Sequence, residues 1–262
     1  ILGGAGGIGL ETSVHLAQHA QANMVLVGRS ALTLEITTRL ERIRAAGGDY
    51  LYCQADGTDL SQMQEVVRQA HARFGPLNGV IHSAIVLKDA AINLMDEATF
   101  QAALAPKIRA SAVLYQSVKQ EPLDFMLFYS SVQSFWGNAG QSNYSAGSTF
   151  KDAFALALSQ QAPFPVKIIN WGYWGYVGVV ASEAYRERLA RQGIHPITTA
   201  EGMAALDRIL SGPLAQVATL KMSPEVLAQA NITRRRIEAL PAAPVPTLNP
   251  MLDQMKAANL LL

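Results

Sequence analysis

Short apolar runs alternate with longer segments of helical period along the 262-residue chain. That rhythm is the signature of an α/β fold, a doubly wound parallel sheet with helices on both faces. The runs predict strands at Met24–Val27, Tyr50–Gln54, Gly79–His82, Phe125–Ser130, Val166–Trp171 and Val217–Lys221. Helical spacing fills residues 8–20, 31–46, 60–74, 97–119, 141–160 and 200–211. Within 60–74, Leu60, Met63, Val66, Val67 and Ala70 share one face, as an amphipathic helix requires. Ile1 and Leu2 lead straight into a glycine-rich turn and leave almost no first strand. Counting that stub, the pattern predicts about seven strands joined by right-handed crossovers. A parallel sheet is not expected to begin so abruptly, so the chain reads as a piece of something larger.

Residues 172–199 interrupt the alternation with Gly172, Gly175 and Gly178, followed by a charged helix around Ser182–Arg191. An insertion after the sixth strand lies at the carboxyl edge of the sheet, where ligands bind in this architecture. It is expected to act as a lid with glycine hinges. From Leu240 the composition turns to proline and alanine, with Pro241, Pro244, Pro246 and Pro250. Residues 1–239 are therefore expected to form one globular domain, and 240–262 an extended linker with a short terminal helix.

Composition narrows the function class. The chain is 50% hydrophobic and 16% charged, with a formal net charge of +1, which suits one sizeable core. Scattered charges offer neither a nucleic-acid surface nor a polybasic membrane anchor. Arg234, Arg235 and Arg236 read as a solvated helix face. The single cysteine, Cys53, rules out an internal disulfide, fits a reducing compartment, and sits in an apolar strand pattern that predicts burial. With no membrane-length apolar run and no signal peptide, a cytoplasmic enzyme is expected.

The candidate chemistry begins at Gly3-Gly4-Ala5-Gly6-Gly7-Ile8-Gly9, where the strand stub meets the first helix. Such a turn, without Cβ atoms, lets a pyrophosphate approach backbone N–H groups at a helix N-terminus. The next strand ends in Gly28-Arg29-Ser30, and no acidic residue stands between Glu11 and Glu35. A dinucleotide site without a carboxylate for the ribose 2′-hydroxyl, but with a cation and a hydroxyl, suits a 2′-phosphate, so NADPH is the expected cofactor. Asp56-Gly57 closes the third strand, where a carboxylate meets the adenine amino group, and Ser83-Ala84 ends the fourth beside the nicotinamide ribose. His82 follows an apolar run and reads as a packed histidine rather than a catalytic base.

Tyr129-Ser130-Ser131 precedes Gly137, Gln141 and Tyr144-Ser145-Ala146-Gly147-Ser148, with Ser131 thirteen residues before Tyr144. A serine at a strand end and a tyrosine on the following helix at this spacing resemble the short-chain dehydrogenases/reductases, a Rossmann-like fold. The resemblance implies that Ser131 hydrogen-bonds a substrate carbonyl while Tyr144 protonates its oxygen. A phenol of ordinary pKa near 10 needs a neighbouring cation to release its proton at neutral pH. The ordinary family places that lysine four residues after the tyrosine, where this chain has Ser148. Two lysines remain. Lys151 lies on the tyrosine helix about 10 Å further along its axis; Lys107, in Ala105-Pro106-Lys107-Ile108, belongs to the long helix before it.

A lysine in the upstream position resembles the ketoreductase domains of modular polyketide synthases, and on that resemblance Lys107 is expected to be the cation and Lys151 a solvated helix residue. GGAGGIG, VGRS, ADGTD, PKI, YSS…WGNAGQSNY and INWGYWG extend the likeness over roughly residues 1–225, with a leaning toward assembly lines that use a separate acyltransferase. The implied reaction is NADPH-dependent reduction of a β-ketoacyl thioester on an acyl carrier protein. The implied neighbours are other synthase domains, including an amino-terminal structural subdomain. Three positions depart from the family pattern: Ser148 replaces a common asparagine, Ile85 a frequent glycine, and Leu2 a common threonine. Serine is shorter than asparagine and is expected to need a bridging water. Asp89, in Leu87-Lys88-Asp89, resembles a marker for the D-hydroxy product, whereas Trp136 resembles the marker for the L product; the expectation here is D, with Gln141 beside the substrate. Two other readings stay open: a free-standing reductase of small ketones, and a module that keeps the fold but has lost catalysis.

Overall fold

The computed structural model describes residues 1–178 and 183–229. Six strands form in chain order: β1 Met24–Gly28, β2 Tyr50–Gln54, β3 Gly79–His82, β4 Phe125–Ser131, β5 Val166–Trp171 and β6 Gln216–Thr219. The helices are α1 Gly7–Ala20, α2 Leu34–Ala45, α3 Leu60–Phe74, α4 Glu97–Leu104, α5 Arg109–Val118, α6 Ser142–Ser159, α7 Glu183–Arg191, α8 Thr199–Ser211 and α9 Pro224–Gln229. All strand pairs are parallel, β1 with β2 and β3-β4-β5-β6 in that order.

The predicted seventh strand is not formed among the described residues. Leu2 stands in its place as a single bridge to Val27 on one side and His82 on the other. Four backbone bonds seat it there: Leu2 N to Ile81 O, Val27 N to Ile1 O, Gly3 N to Val27 O and Ser83 N to Leu2 O. Three residues thus stitch the two groups of strands together, and Leu2 is 5% exposed.

Alternation along β4 divides the core between the two faces of the sheet, because successive side chains point to opposite sides. Met126 and Phe128 pack with Val113, Leu114 and Ala155 on one face. Leu127 and Tyr129 pack with Ile169, Leu206 and Ile209 on the other. Covered on both sides, every residue of β4 and β5 is buried, which is why these strands read as continuous apolar runs. Cys53 is buried, as its pattern predicts.

The single helix predicted over 97–119 is two helices. Pro106 has no N–H to donate, which removes a helix hydrogen bond, and α4 stops at Leu104 while α5 restarts at Arg109, although Ala105 keeps a helical backbone. Lys107 therefore sits in a four-residue turn, not on a helix. The insertion after β5 returns to the body of the fold through a Trp174–Ile197 bridge, with Trp174 packed edge-on against Trp171 at 5.1 Å. Gly202 makes room for it, since a Cβ there would lie 2.3 Å from the Trp174 ring. No helix among the described residues is long and apolar enough to cross a membrane. Arg234–Arg236 and the predicted linker 240–262 lie outside the described residues.

Candidate active site

A cavity of about 1370 Å³ opens at the carboxyl ends of the strands, bounded by the glycine turn, the ends of β1–β4, α6 and the insertion. Within the turn the glycines do two different jobs. Gly3 has φ +83°, and a Cβ there would lie 2.7 Å from the Ala84 backbone N. At Gly4 a Cβ would meet Leu26 Cδ2 at 2.6 Å, and at Gly9 the Gly3 carbonyl oxygen at 2.4 Å. These three let strand, turn and helix close on one another, and Gly4 and Gly9 lie beneath the cavity wall. Gly6 differs: a Cβ there meets nothing within 4 Å, and Gly6, Gly7 and Ile8 line the cavity.

Because α1 begins at Gly7 with no side-chain cap and no acidic residue in its first turn, its leading N–H groups face a space that any side chain at Gly6 would occupy. This is a cradle shaped for an anion, and it fits the pyrophosphate of a nicotinamide dinucleotide.

Arg29 and Ser30 line the same cavity. Their backbone is pinned from β2, by Gln54 Nε2 to Arg29 O at 3.1 Å and Tyr52 OH to Ser30 O at 2.7 Å. Arg39, on α2, joins them in the wall; no local motif marks it, and it meets Glu35, one helical turn before it, only loosely at 3.8 Å. The Asp56 carboxylate accepts from Thr58 N at 2.9 Å and Thr58 Oγ1 at 2.8 Å, and the Thr58 backbone bond holds it below the usual carboxylate range. Gly57 closes over Leu2, and the backbone of Ser83 and Ala84 packs against the turn.

Ser131 ends β4, 6% exposed. Its carbonyl is held by Asn170 Nδ2 at 3.1 Å, and the same amide donates to Ser134 Oγ at 2.9 Å and Asp152 Oδ2 at 2.7 Å. Tyr144 lies in the first turn of α6, partly buried, and lines the cavity together with Ser131. Burial raises the phenol above its ordinary 10, while the nearby Ser131 hydroxyl acts to lower it and the Asp89 charge to raise it. Asn143, unremarked in the sequence, fixes this turn: its Oδ1 accepts from Tyr144 N at 2.8 Å, and its Nδ2 donates to Lys88 O at 2.7 Å.

Lys107 reaches Tyr144 from the turn between α4 and α5. Its Nζ donates to Tyr144 O at 2.9 Å and Ser148 Oγ at 2.7 Å, and lies 3.2 Å from the centre of the Tyr144 ring. Ser148 therefore contacts the lysine directly, without the bridging water expected of it, and passes its own hydrogen to Tyr144 O at 2.9 Å. The approach depends on Gly147, where a Cβ would stand 2.8 Å from Lys107 Cδ. Burial, helped by the Lys151 charge and opposed by Asp152 and Asp89, lowers the Lys107 ammonium to about 6.

The expectation that Lys151 is solvated is wrong. It is 1% exposed, its Nζ donating to Tyr129 O at 3.1 Å and lying 3.3 Å from His82 Nδ1. The face of α6 that carries it packs on the sheet beside the reaction site, so a charge normally left in water is enclosed. Burial lowers it to about 7 against the opposing pull of Asp152. His82 is a packed histidine, as its apolar setting suggests, and burial keeps its ring neutral.

Gln141 and Trp136 line the cavity. Asp89 is exposed at its rim and accepts from Gln141 Nε2 at 2.7 Å. Ile85 and the insertion residues Trp174, Val177, Tyr185 and Leu189 complete the wall.

Residues 1–176 match the family model of the KR domain. The chain is 43% identical over 244 residues, 92% of its length, to "Polyketide synthase PksN" of Bacillus subtilis. It is 42% identical over 237 residues, 90% of its length, to "Polyketide synthase ThaG" of Burkholderia thailandensis. The chain spans only 4% of the length of each of these curated relatives. Among solved structures it is similar to "a ketoreductase domain from the bacillaene assembly line", at 32% identity and TM-score 0.81 over 87% of this chain and 57% of that one.

Proposed function

The chain belongs to the KR domain family, the ketoreductases of polyketide synthases, and on that premise we propose that it reduces a β-ketoacyl thioester on an acyl carrier protein to the β-hydroxyacyl thioester, using NADPH. The observation that supports this most is the meeting of Ser131, Tyr144 and Lys107 in the cavity that the glycine turn opens into. When bound, the nicotinamide cofactor supplies the hydride. The chain supplies everything else. Ser131 Oγ donates to the ketone oxygen and holds it at the phenol. Tyr144 gives its proton to that oxygen as the carbon is reduced, converting C=O to CH–OH. Lys107, over the ring and bonded to Ser148, stabilises the phenolate left behind.

The N–H groups of Gly6, Gly7, Ile8 and the start of α1 would hold the pyrophosphate, with Gly3, Gly4 and Gly9 shaping the turn. Arg29 and Ser30 would take the 2′-phosphate, which distinguishes NADPH from NADH. Asp56 and Gly57 would border the adenine, and Ser83 and Ala84 the nicotinamide ribose. Asp89 and Gln141 at the rim favour the D-hydroxy product over the L product that Trp136 suggests. The described parts of the insertion, residues 172–178 and 183–199, would act as a lid over the acyl chain; residues 179–182 lie outside the described residues. The acyl carrier protein and neighbouring synthase domains, including an amino-terminal structural subdomain, are the partners. The cytoplasm is the compartment, which suits the unpaired Cys53.

Purified protein mixed with NADPH and a β-ketoacyl thioester surrogate should consume NADPH, followed by its absorbance. Tyr144→Phe should abolish turnover while leaving cofactor affinity nearly intact. Tight NADPH binding without turnover in the unaltered protein would favour a scaffold module instead, the reading that Ile85 and Ser148 keep open.

A further inference from the structure

Lys151 is a buried ionisable group with no part in the chemistry outlined above. Tyr144, Ser148 and Lys151 follow one another on α6 at spacings of four and three, so they form one stripe of the helix. Lys107 Nζ binds the first two of these residues, at Tyr144 O and Ser148 Oγ. Lys151 occupies the third. Its Nζ is anchored on the carbonyl of Tyr129 and on His82 Nδ1, at the ends of β4 and β3 that carry Ser131 and Ser83. The two lysines are 3% and 1% exposed. Neither forms an ion pair among the described residues. Of the carboxylates that act on them, Asp89 accepts from Gln141 and Asp152 Oδ2 accepts from Asn170 and Ser134, while Asp152 Oδ1 is buried with no hydrogen-bond partner and offsets part of their charge from a distance. His82 is neutral and accepts from Lys151, so it fixes that ammonium without neutralising it. Two like charges therefore share one enclosed, low-dielectric stripe, where Coulomb repulsion is much stronger than in water.

We propose that Lys151 is a positioning residue for ketone reduction, its charge setting how firmly Lys107 holds its proton and thereby the pH range over which the reaction runs. The inference rests on the reading that Lys107 assists Tyr144 as a cation. The groups facing Lys107 are Lys151, Asp152 and Tyr144 from α6, His82 from β3, and Asp89 from the segment after β3. Lys151 is the positive member of that set whose charge a substitution removes while leaving the contacts of Lys107 in place. Burial and the Lys151 charge both act to lower Lys107, which agrees with the geometry.

The test is the pH profile of kcat/KM for NADPH-dependent reduction of a β-ketoacyl thioester surrogate, in wild type, Lys151→Met and Lys151→Arg. If Lys107 works as an ammonium, the rate falls as pH rises through its titration. Removing the neighbouring charge in Lys151→Met should move that alkaline limb upward by about one pH unit. Lys151→Arg keeps the charge and should leave the limb at or below its wild-type position. A structural role for Lys151 would lower the rate at every pH without moving the limb, and an unmoved limb in Lys151→Met overturns the proposal. Should Lys151→Met fail to fold, NMR titration of wild-type protein carrying ¹³Cε-labelled lysine, with Lys107 assigned by Lys107→Met, decides the matter. A Lys107 resonance titrating near the ordinary value of about 10.4 overturns the proposal; one titrating near neutrality, and coupled to a second buried lysine, supports it. Full turnover in Tyr144→Phe or Lys107→Met would instead overturn the underlying assignment of the reaction residues.

Discussion

Replacing Gly147 by alanine places a methyl group 2.8 Å from Lys107 Cδ and 3.3 Å from both Lys107 Cβ and Leu104 Cδ2. Carbon atoms in ordinary contact stand about 3.5–4.0 Å apart, so the lysine stem must retreat by roughly 1 Å. The Nζ at its end is held by two short bonds, 2.7 Å to Ser148 Oγ and 2.9 Å to Tyr144 O. A charged hydrogen bond contributes about 1.5–3 kcal/mol, whereas alanine in a helix interior is favoured over glycine by about 1 kcal/mol. Loss of one bond thus outweighs the helix gain by about 0.5–2 kcal/mol, and folding stability falls slightly. Activity should suffer far more. A misplacement of about 1 Å in a reacting constellation can cost on the order of 100-fold, which corresponds to about 2.7 kcal/mol of barrier. Gly147→Ala should therefore fold, bind NADPH as wild type does, and lose roughly 30- to 100-fold in kcat/KM for a β-ketoacyl thioester surrogate, with a small drop in Tm. A variant within threefold of wild-type kcat/KM, and more thermally stable, would show that Lys107 does not need its path across α6.

Three further outcomes follow from the same geometry. Gly6→Val should weaken cofactor affinity at least about tenfold while changing stability by no more than about 1 kcal/mol, because its side chain meets only the cavity; equilibrium titration with NADPH beside a urea melt checks both halves. Arg29→Ala should raise KM for NADPH about 10- to 100-fold, the range of one charged hydrogen bond, and leave KM for NADH unchanged; a parallel rise for NADH would remove Arg29 from the 2′-phosphate. Lys107 and Lys151, lowered to about 6 and about 7 from 10.5 by burial, bind fewer protons folded than unfolded across the interval up to 10.5. Their burial penalty is complete below about pH 6 and fades above it, so stability should climb with pH by up to about 1.4 kcal/mol per unit for each lysine. Urea midpoints that stay flat from pH 6 to 9 would count against that, and Lys151→Met should make the climb shallower.

Much of this site was readable in one dimension because its chemistry is local. A glycine turn before a helix, Arg29 at a strand end, and Ser131 thirteen residues before Tyr144 are placed by short stretches of backbone whose geometry depends on few neighbours. Even the break in the predicted helix 97–119 was written in Pro106, whose missing N–H ends α4. The strand stub was legible too, although only packing shows that Leu2 alone can bridge β1 and β3.

What the tertiary structure decided depends on distances between elements far apart in sequence. Spacing along α6 identifies the stripe containing Tyr144, Ser148 and Lys151, but not that this stripe faces inward, because polar residues on a helix normally mark its wet side. Here the polar side is enclosed because the sheet edge and the α4–α5 turn close over it, trapping Lys151 against Tyr129 and His82. The same packing gives Gly147 its purpose as the gap through which Lys107 crosses, and makes Asn143 the tie between α6 and the Lys88 segment. The sequence by itself marked the groups to which the chemistry is assigned; the fold decided which charges must share a space without water, where repulsion and desolvation govern how they hold protons.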